Sequence, residues 1–317
     1  MILIQSISQD YSTSVVIQWL CDTNEDFIRL NNKSFIDQIT FSENIFRIKI
    51  NDKIIDLSQF KSYWFRRGSF DFESKLNQNV EMKIPIEGYL KGENLIIKEA
   101  IDHYLLKNVK SIGNYKTSQN NKIIACEVAK NMGFKIPDFI ITTEKIELLK
   151  FYKKHPQIIS KSLYGLPGFL ANNVDYSAKT RIIELSDIKD CTDNFGVSLF
   201  QQYVEKKIEL RVFFLNDKFY PSAIFSQNDV QTKIDFRNYN KDKPNRVVPY
   251  KLPDDVIEKL KKINQELALN TGSYDLILTP KNEYYFLEVN PIGQFAQVSL
   301  PCNYYLEKEI AKELSNA

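Results

Sequence analysis

The sequence predicts a mixed chain, α/β at its start and α+β over the rest. Three observations predict it: an apolar opening strand runs into a capped helix, strand-like runs then alternate with helical periods, and the chain closes on two apolar runs joined by a turn. With 317 residues, 43% of them apolar, the chain is long enough for two or three cores.

The elements follow in order. Residues 1–8 alternate as a strand, and Asp10-Tyr-Ser-Thr-Ser offers caps for a helix through VVIQWL. FRIKI (46–50), KIIDL (53–57) and SYWFRRG (62–68) read as strands, and 92–107 as a helix with Leu95, Ala100 or Glu99, and Leu105 or Leu106 on a mixed face. Polar, turn-rich SIGNYKTSQNN (111–121) marks a junction between an N-terminal domain and the rest. A helix over 118–132 is ended by Gly133, then come strand DFIIT, a helix over 143–154 and strand QIISKSL (157–163). RIIEL (181–185), LFQQYVE, IELRVFFLN and KFYPSAIFSQ read as strands. DDVIEKLKKINQELALN places Val256, Ile257, Leu260, Ile263 and Leu267 on one stripe, the spacing of a core-facing helix.

Composition excludes several functions. Lys plus Arg number 42 against 40 for Asp plus Glu, so no broad field attracts nucleic acid or an anionic membrane. The opening MILIQSIS lacks a basic leader and a cleavage site, and no apolar run of spanning length follows, so neither export nor membrane insertion is expected. Cys21, Cys126, Cys191 and Cys302 form no CxxC or Cys/His pair, which fits free thiols in a reducing cytoplasm. The two histidines, His103 and His155, leave no material for His-rich zinc sites, so oxygen atoms are the expected ligands of any metal.

Two apolar runs, GSYDLILT (272–279) and YYFLEVN (284–290), flank the turn signal Pro280-Lys-Asn-Glu283 and predict an antiparallel hairpin. With Thr279 facing Tyr284, Asp275 falls opposite Glu288. One face then holds Tyr274, Leu276, Leu278, Tyr285, Leu287 and Val289, while the other gathers Asp275, Glu288 and Asn290 beside Ile277 and Phe286. Opposed carboxylates destabilise a sheet unless protonated or neutralised. A divalent cation resolves that conflict with hard oxygen ligands, and a solvated edge face is the plainer reading.

Neither GxxxxGK[ST] nor GxGxxG occurs, so a nucleotide needs another cradle. Lys161 ends a strand beside SLYGLPG, with Gly165 and Gly168, where an ammonium suits phosphate and a snorkelling lysine is the alternative. Glu209 and Arg211 share a strand face in IELRVFF and read alone as halves of surface ion pairs; Arg237 and Lys122 are individually ordinary. Arg66 and Arg67 alternate across a strand, so at most one is expected to face a site and the other to make a surface ion pair. Tyr63, Trp64 and Phe65 read as core or as the lining of a peptide groove.

The order of these features resembles the ATP-grasp carboxylate ligases over roughly 112–300, with EVNPIGQF as the terminal motif and SYDLIL supplying the acid of the preceding strand. ILIQSISQDYSTSVVIQWL, YWFRRG, SIGNYKTSQNNK, IDFRNYN, PNRVVPYKLP and FLEVNPIGQF resemble one subgroup, the graspetide synthetases of the grasp-with-spasm type, over nearly the whole chain. The resemblance implies an ATP-grasp fold of two α+β subdomains, 113–198 and 199–317, behind a pre-ATP-grasp α/β domain, 1–112. It implies ATP and Mg²⁺, the metal held by Asp275, Glu288 and Asn290; phosphate contacts from Lys122, Lys161 and Arg237; adenine contacts from Gln202, Tyr203 and Val204; and a ribose contact from Glu209. Lys161, Arg211 and Arg237 are the implied catalytic cations, Arg211 steadying the acyl phosphate or incoming carboxylate.

The implied reaction activates Asp/Glu side chains of a ribosomal precursor peptide, docked through a leader, and closes ester or amide macrocycles with Ser/Thr or Lys. Arg-Arg-Gly replaces the Arg-Arg-Pro of microviridin-type ligases at 66–68, and SLYGLPG is poorer in glycine than many ATP-grasp loops. The alternatives are an ATP-grasp ligase adding a free amino acid to a small acid or protein tail, and a nucleotide-sensing scaffold without turnover. No nucleic acid or membrane partner is expected, and a homodimer is compatible with the sequence.

Overall fold

The computed structural model describes all residues except 32–34, 43–44, 51, 73–82, 119–120, 164–167, 173, 178–179, 237, 239 and 317. The N-terminal sheet is parallel, ordered β2 (Phe27–Asn31), β1 (Ile2–Ser6), β7 (Ser62–Phe65), β9 (Lys110–Ile112). Asp10 caps α1 (Tyr11–Asp22) by accepting from Thr13 N at 3.2 Å, the expected β-α entry. A meander of β4 (Gln38–Ser42), β5 (Ile45–Ile50) and β6 (Lys53–Asp56), the pair β3 (Phe35–Ile36) and β8 (Asp71–Phe72), and α2 (Lys83–Asn108) complete this region. The second helix starts nine residues earlier than the sequence predicts, and its core face is Ile97, Ile101 and Leu105, with Leu95 and Leu106 exposed. Gly88 and Gly92 lie within it on its open side, where an added Cβ meets nothing, so neither breaks the helix.

The structure decides between the two readings of 63–65 and corrects that of the two arginines. Tyr63, Trp64 and Phe65 are at most 5% exposed and belong to the core, because β7 is an inner strand of a sheet covered on both faces, and they line no groove. The strand ends at Phe65, so alternation does not govern the next two residues. Arg66 and Arg67 both donate backbone N–H to Gln5 O and both bring Nε to Asp10 Oδ2 at 3.3 Å, so neither makes a separate surface pair.

After α3 (Tyr115–Ser118) and α4 (Lys122–Asn131), an antiparallel sheet runs β10 (Phe139–Glu144), β15 (Asn194–Gln202), β11 (Ile158–Lys161), β14 (Arg181–Ile183), backed by α5 (Lys145–Lys154) and α6 (Leu185–Asp190), with the hairpin β12 (Gly168–Ala171) and β13 (Val174–Ser177) beside it. β15 belongs wholly to this sheet, so a boundary at 198 falls inside a strand.

The last sheet is antiparallel, ordered β18 (Arg246–Pro249), β17 (Lys218–Phe225), β16 (Ile208–Leu215), β19 (Thr271–Leu278), β20 (Tyr284–Asn290), with α7 (Asp254–Glu266), α8 (Ala296–Ser299) and α9 (Leu306–Ser315). On one face Leu210, Val212, Phe214, Tyr274, Leu276 and Phe286 pack against Ala125 and Ala129 of α4 and the predicted stripe of α7. On the other, Phe213 and Leu215 join Ile2, Ile4, Trp64, α1 and α9 in a second core. β16 is therefore buried throughout, its odd positions passing from Glu209 and Arg211 to Phe213 and Leu215.

Candidate functional site

The hairpin pairs Asp275 with Glu288 as the sequence predicts, by a different route. The ladder starts at Leu278↔Tyr284, one residue off the expected register, and a bulge after Leu276↔Phe286 restores it before Asp275↔Glu288. Up to the bulge the two faces of β20 are exchanged: Tyr284 packs on the core, and Tyr285, expected there, pairs with Ile277 on the cleft face. Phe286 is 0% exposed among Tyr274, Leu276 and Val289, whereas Leu287, expected in the core, lines the cleft with Ile277.

The cleft lies between the central and last sheets and is partly open to solvent. Its floor is Glu209, Asp275, Ile277, Leu287 and Glu288. Opposite stand Ile159 and Lys161 of β11 and Gln201 of β15, with Gln202, Tyr203 and Val204 where the chain passes between the sheets. Lys122 enters from the first position of α4, which Asn121 caps by accepting from Ile123 N and Ile124 N. Arg237 lies outside the described residues, as does most of the glycine loop, 164–167.

Each acid has a cation. Arg211, directly across the ladder from Asp275, donates Nη1 to Oδ1 at 3.1 Å and its Nε and Nη2 to Gln294 O. Lys122 Nζ is 2.9 Å from Glu288 Oε2. Two opposed carboxylates are thus balanced by two bases from different elements. Asn290 continues the strand but is exposed, its Oδ1 accepting from Gly293 N at 3.3 Å.

Among the described residues no three His, Cys, Asp or Glu gather at a metal position. The donor set still fits a hard cation that keeps water and phosphate oxygens: two carboxylates on one cleft face and an amide oxygen along the same strand. A thiol or imidazole site has no basis here, since Cys126 under the cleft is buried, and burial raises its pKa.

Sequence reasoning missed Lys206. Its side chain is 4% exposed, and Nζ donates to Glu209 Oε1 at 2.7 Å and to Ile234 O at 3.0 Å. Ser226 Oγ donates to the same Oε1 at 2.6 Å. Burial raises the Glu209 pKa against the lowering by Lys206 and Ser226, and burial likewise raises that of Tyr203. The signal available was a lysine three residues before an acid in an apolar strand. Asp235, which accepts from Thr180 Oγ1 at 3.0 Å, also lines the cleft and carried no sequence signal.

No family profile matches the sequence, and no curated protein does. Solved structures match along its whole length. A RiPP-associated ATP-grasp ligase from Chryseobacterium gregarium, in complex with ADP and a leader and core peptide, aligns with TM-score 0.81 at 22% identity, covering 99% of this chain and 95% of that one. The macrocyclase MdnC from Microcystis aeruginosa MRC, bound with precursor peptide MdnA, gives 0.77 at 21%, covering 100% and 99%. The ATP-grasp ligase PsnB, with a phosphomimetic minimal precursor, Mg and ADP, gives 0.73 at 14%, covering 99% and 97%. At these identities the likeness establishes the fold: the chain has the ATP-grasp architecture, N-terminal region included.

Proposed function

We propose that this protein is an ATP-dependent, ADP-forming ligase that matures a ribosomally made precursor peptide. It activates Asp or Glu side chains and joins them to Ser/Thr hydroxyls or Lys amines in macrocyclic ester or amide links. The observation that carries the proposal is the opposed Asp275 and Glu288 sharing one cleft with Lys122, Lys161 and the segment 202–204. End-to-end likeness to a solved ligase and a solved macrocyclase, each bound with its leader or precursor peptide, supports a peptide rather than a free amino acid as substrate.

In this reading the backbone of Gln202, Tyr203 and Val204 receives adenine, Glu209 the ribose, and Lys122, Lys161 and Arg237 the phosphates. Asp275, Glu288 and Asn290 hold Mg²⁺, which offsets phosphate charge. The peptide carboxylate takes the γ-phosphoryl group, releasing ADP. A hydroxyl or amine of the same peptide then forms the C–O or C–N bond, loses its proton and expels phosphate. Lys161, Arg211 and Arg237 position these groups and stabilise their charge, and no protein acid–base need be invoked.

We place the domain divisions at the ends of the N-terminal and central sheets, near 112 and after Gln202, the latter moved so that β15 stays whole. A cytoplasmic setting suits the four free thiols. Among the described residues no helix is long and apolar enough to cross a membrane.

The test is incubation with ATP, Mg²⁺ and a peptide rich in Thr/Ser/Lys and Asp/Glu encoded beside the gene. Peptide-stimulated ADP release with loss of one water per link is expected. Transfer of a free amino acid without peptide dehydration overturns the proposal.

A further inference from the structure

Buried Asp10 and Arg66 and half-buried Arg67 form one group at the end of the N-terminal sheet. One carboxylate faces two guanidiniums, so the group carries an excess positive charge that needs acceptors elsewhere. Arg66, 3% exposed, finds them in another part of the chain: Nη1 donates to Ile292 O and to Gly293 O, and its guanidinium lies 5.2 Å from the centroid of the Phe295 ring. Burial draws its pKa down to about 10, so it stays charged at neutral pH.

The gripped turn leaves little slack. Gly293 has φ +31°, and a Cβ there would lie 2.7 Å from Ser273 Oγ and 2.8 Å from the Gly272 backbone. Gly293 N donates to Asn290 O at 2.9 Å and to Asn290 Oδ1 at 3.3 Å. An ion pair from Asp10 to Arg66, and hydrogen bonds from Arg66 to Gly293 O and from Gly293 N to Asn290 Oδ1, therefore link the N-terminal sheet to the side chain of Asn290. On the next residue Arg211 holds Gln294 O while bound to Asp275.

We infer that Arg66 is a positioning residue that acts from the N-terminal sheet, through the 291–293 turn, on Asn290, and so sets the Mg²⁺ affinity of the nucleotide site; this rests on the proposed metal role of Asn290. Ligand-orienting contacts of this kind are worth about 10- to 100-fold in metal affinity.

The experiment titrates Mg²⁺ into the full-length protein with ADP and follows ADP binding by calorimetry, without peptide. Arg66→Lys keeps the charge but not the fork that reaches two carbonyls and Asp10 together. The expected result is an approximately tenfold rise in half-saturating Mg²⁺, with Mg²⁺-free ADP binding and peptide affinity unchanged. Asn290 is exposed, so Asn290→Ala retains the fold, and Arg66→Lys added to it gives no further rise, since both act on one ligand. Multiplying effects, or a wild-type Mg²⁺ midpoint in folded Arg66→Lys, overturn the inference alone. Failure of the parent protein to bind ADP with Mg²⁺ overturns the nucleotide reading together with it. Where Arg66→Lys yields no folded protein, Asp10→Asn, which keeps a helix cap and removes the ion pair, takes its place with the same outcomes.

Discussion

Replacing Lys206 by methionine leaves Glu209 buried with Ser226 Oγ still donating to its Oε1, and its consequence has a sign in pH as well as a size. At 2.7 Å the ammonium and carboxylate attract by about 6 kcal/mol at an effective dielectric near 20, part of which offsets the desolvation of both ions. Removing one member of such a pair costs about 3–5 kcal/mol, because the other charge stays buried. For a 317-residue chain, 3 kcal/mol corresponds to a melting point lower by about 5 °C. Glu209 already has a pKa raised by burial, and losing the ammonium raises it further. A carboxyl whose folded pKa exceeds its unfolded value contributes stability present at low pH and lost as pH rises through the folded pKa. The deficit of Lys206→Met is therefore larger at about pH 8 than at about pH 5, because acid favours the neutral carboxyl. Denaturation at the two pH values measures it. A deficit under about 1 kcal/mol, or an equal one at both, refutes the buried-pair account. Lys206→Met/Glu209→Gln recovers most of the stability, since no buried charge is stranded, but not ADP affinity.

Glu288→Gln removes one of the opposed acids while keeping its shape; ATP-dependent dehydration of the peptide falls by about 100-fold or more, read by mass spectrometry, and wild-type turnover rejects the metal assignment. Phe286→Ala costs about 3–5 kcal/mol in chemical denaturation, whereas Leu287→Ala, at the cleft, costs less than about 1.5 kcal/mol and weakens ADP binding instead; the reverse order rejects the bulge. Arg211→Lys loses the two-nitrogen grip on Gln294 O and lowers turnover by about tenfold or more with ADP affinity retained, by comparison of single-turnover rates with binding.

What the sequence disclosed follows from how local each signal is. The capped first helix, the core stripe of 254–266 and the acidic hairpin depend on neighbours within a few residues, and all three stand in the structure. The bulge was not legible, because Phe286 and Leu287 are both apolar and either face accepts either until tertiary packing decides. The early start of α2 was hidden by two glycines that propensity reads as breaks. Arg66 was opaque for another reason: its acceptors lie 226 residues away and are backbone carbonyls, which no residue type announces.

The strand 208–215 shows why the charged residues of this site sit where they do. Buried on both faces, it admits a charge only where another element supplies a partner. Its even positions face helices and carry Leu210, Val212 and Phe214. Its odd positions begin against the cleft, where Lys206 meets Glu209 and Asp275 meets Arg211, and end against the N-terminal core, where Phe213 and Leu215 need no partner. The change from charged to apolar along that one face marks where the cleft stops and the N-terminal sheet begins. Arg66 crosses that junction, so the N-terminal region is bonded directly to the turn that follows Asn290. The N-terminal region and the nucleotide cleft of the proposed enzyme are on this account one mechanical unit, and a change at Asp10 is expected to reach Asn290 through Arg66 and the turn.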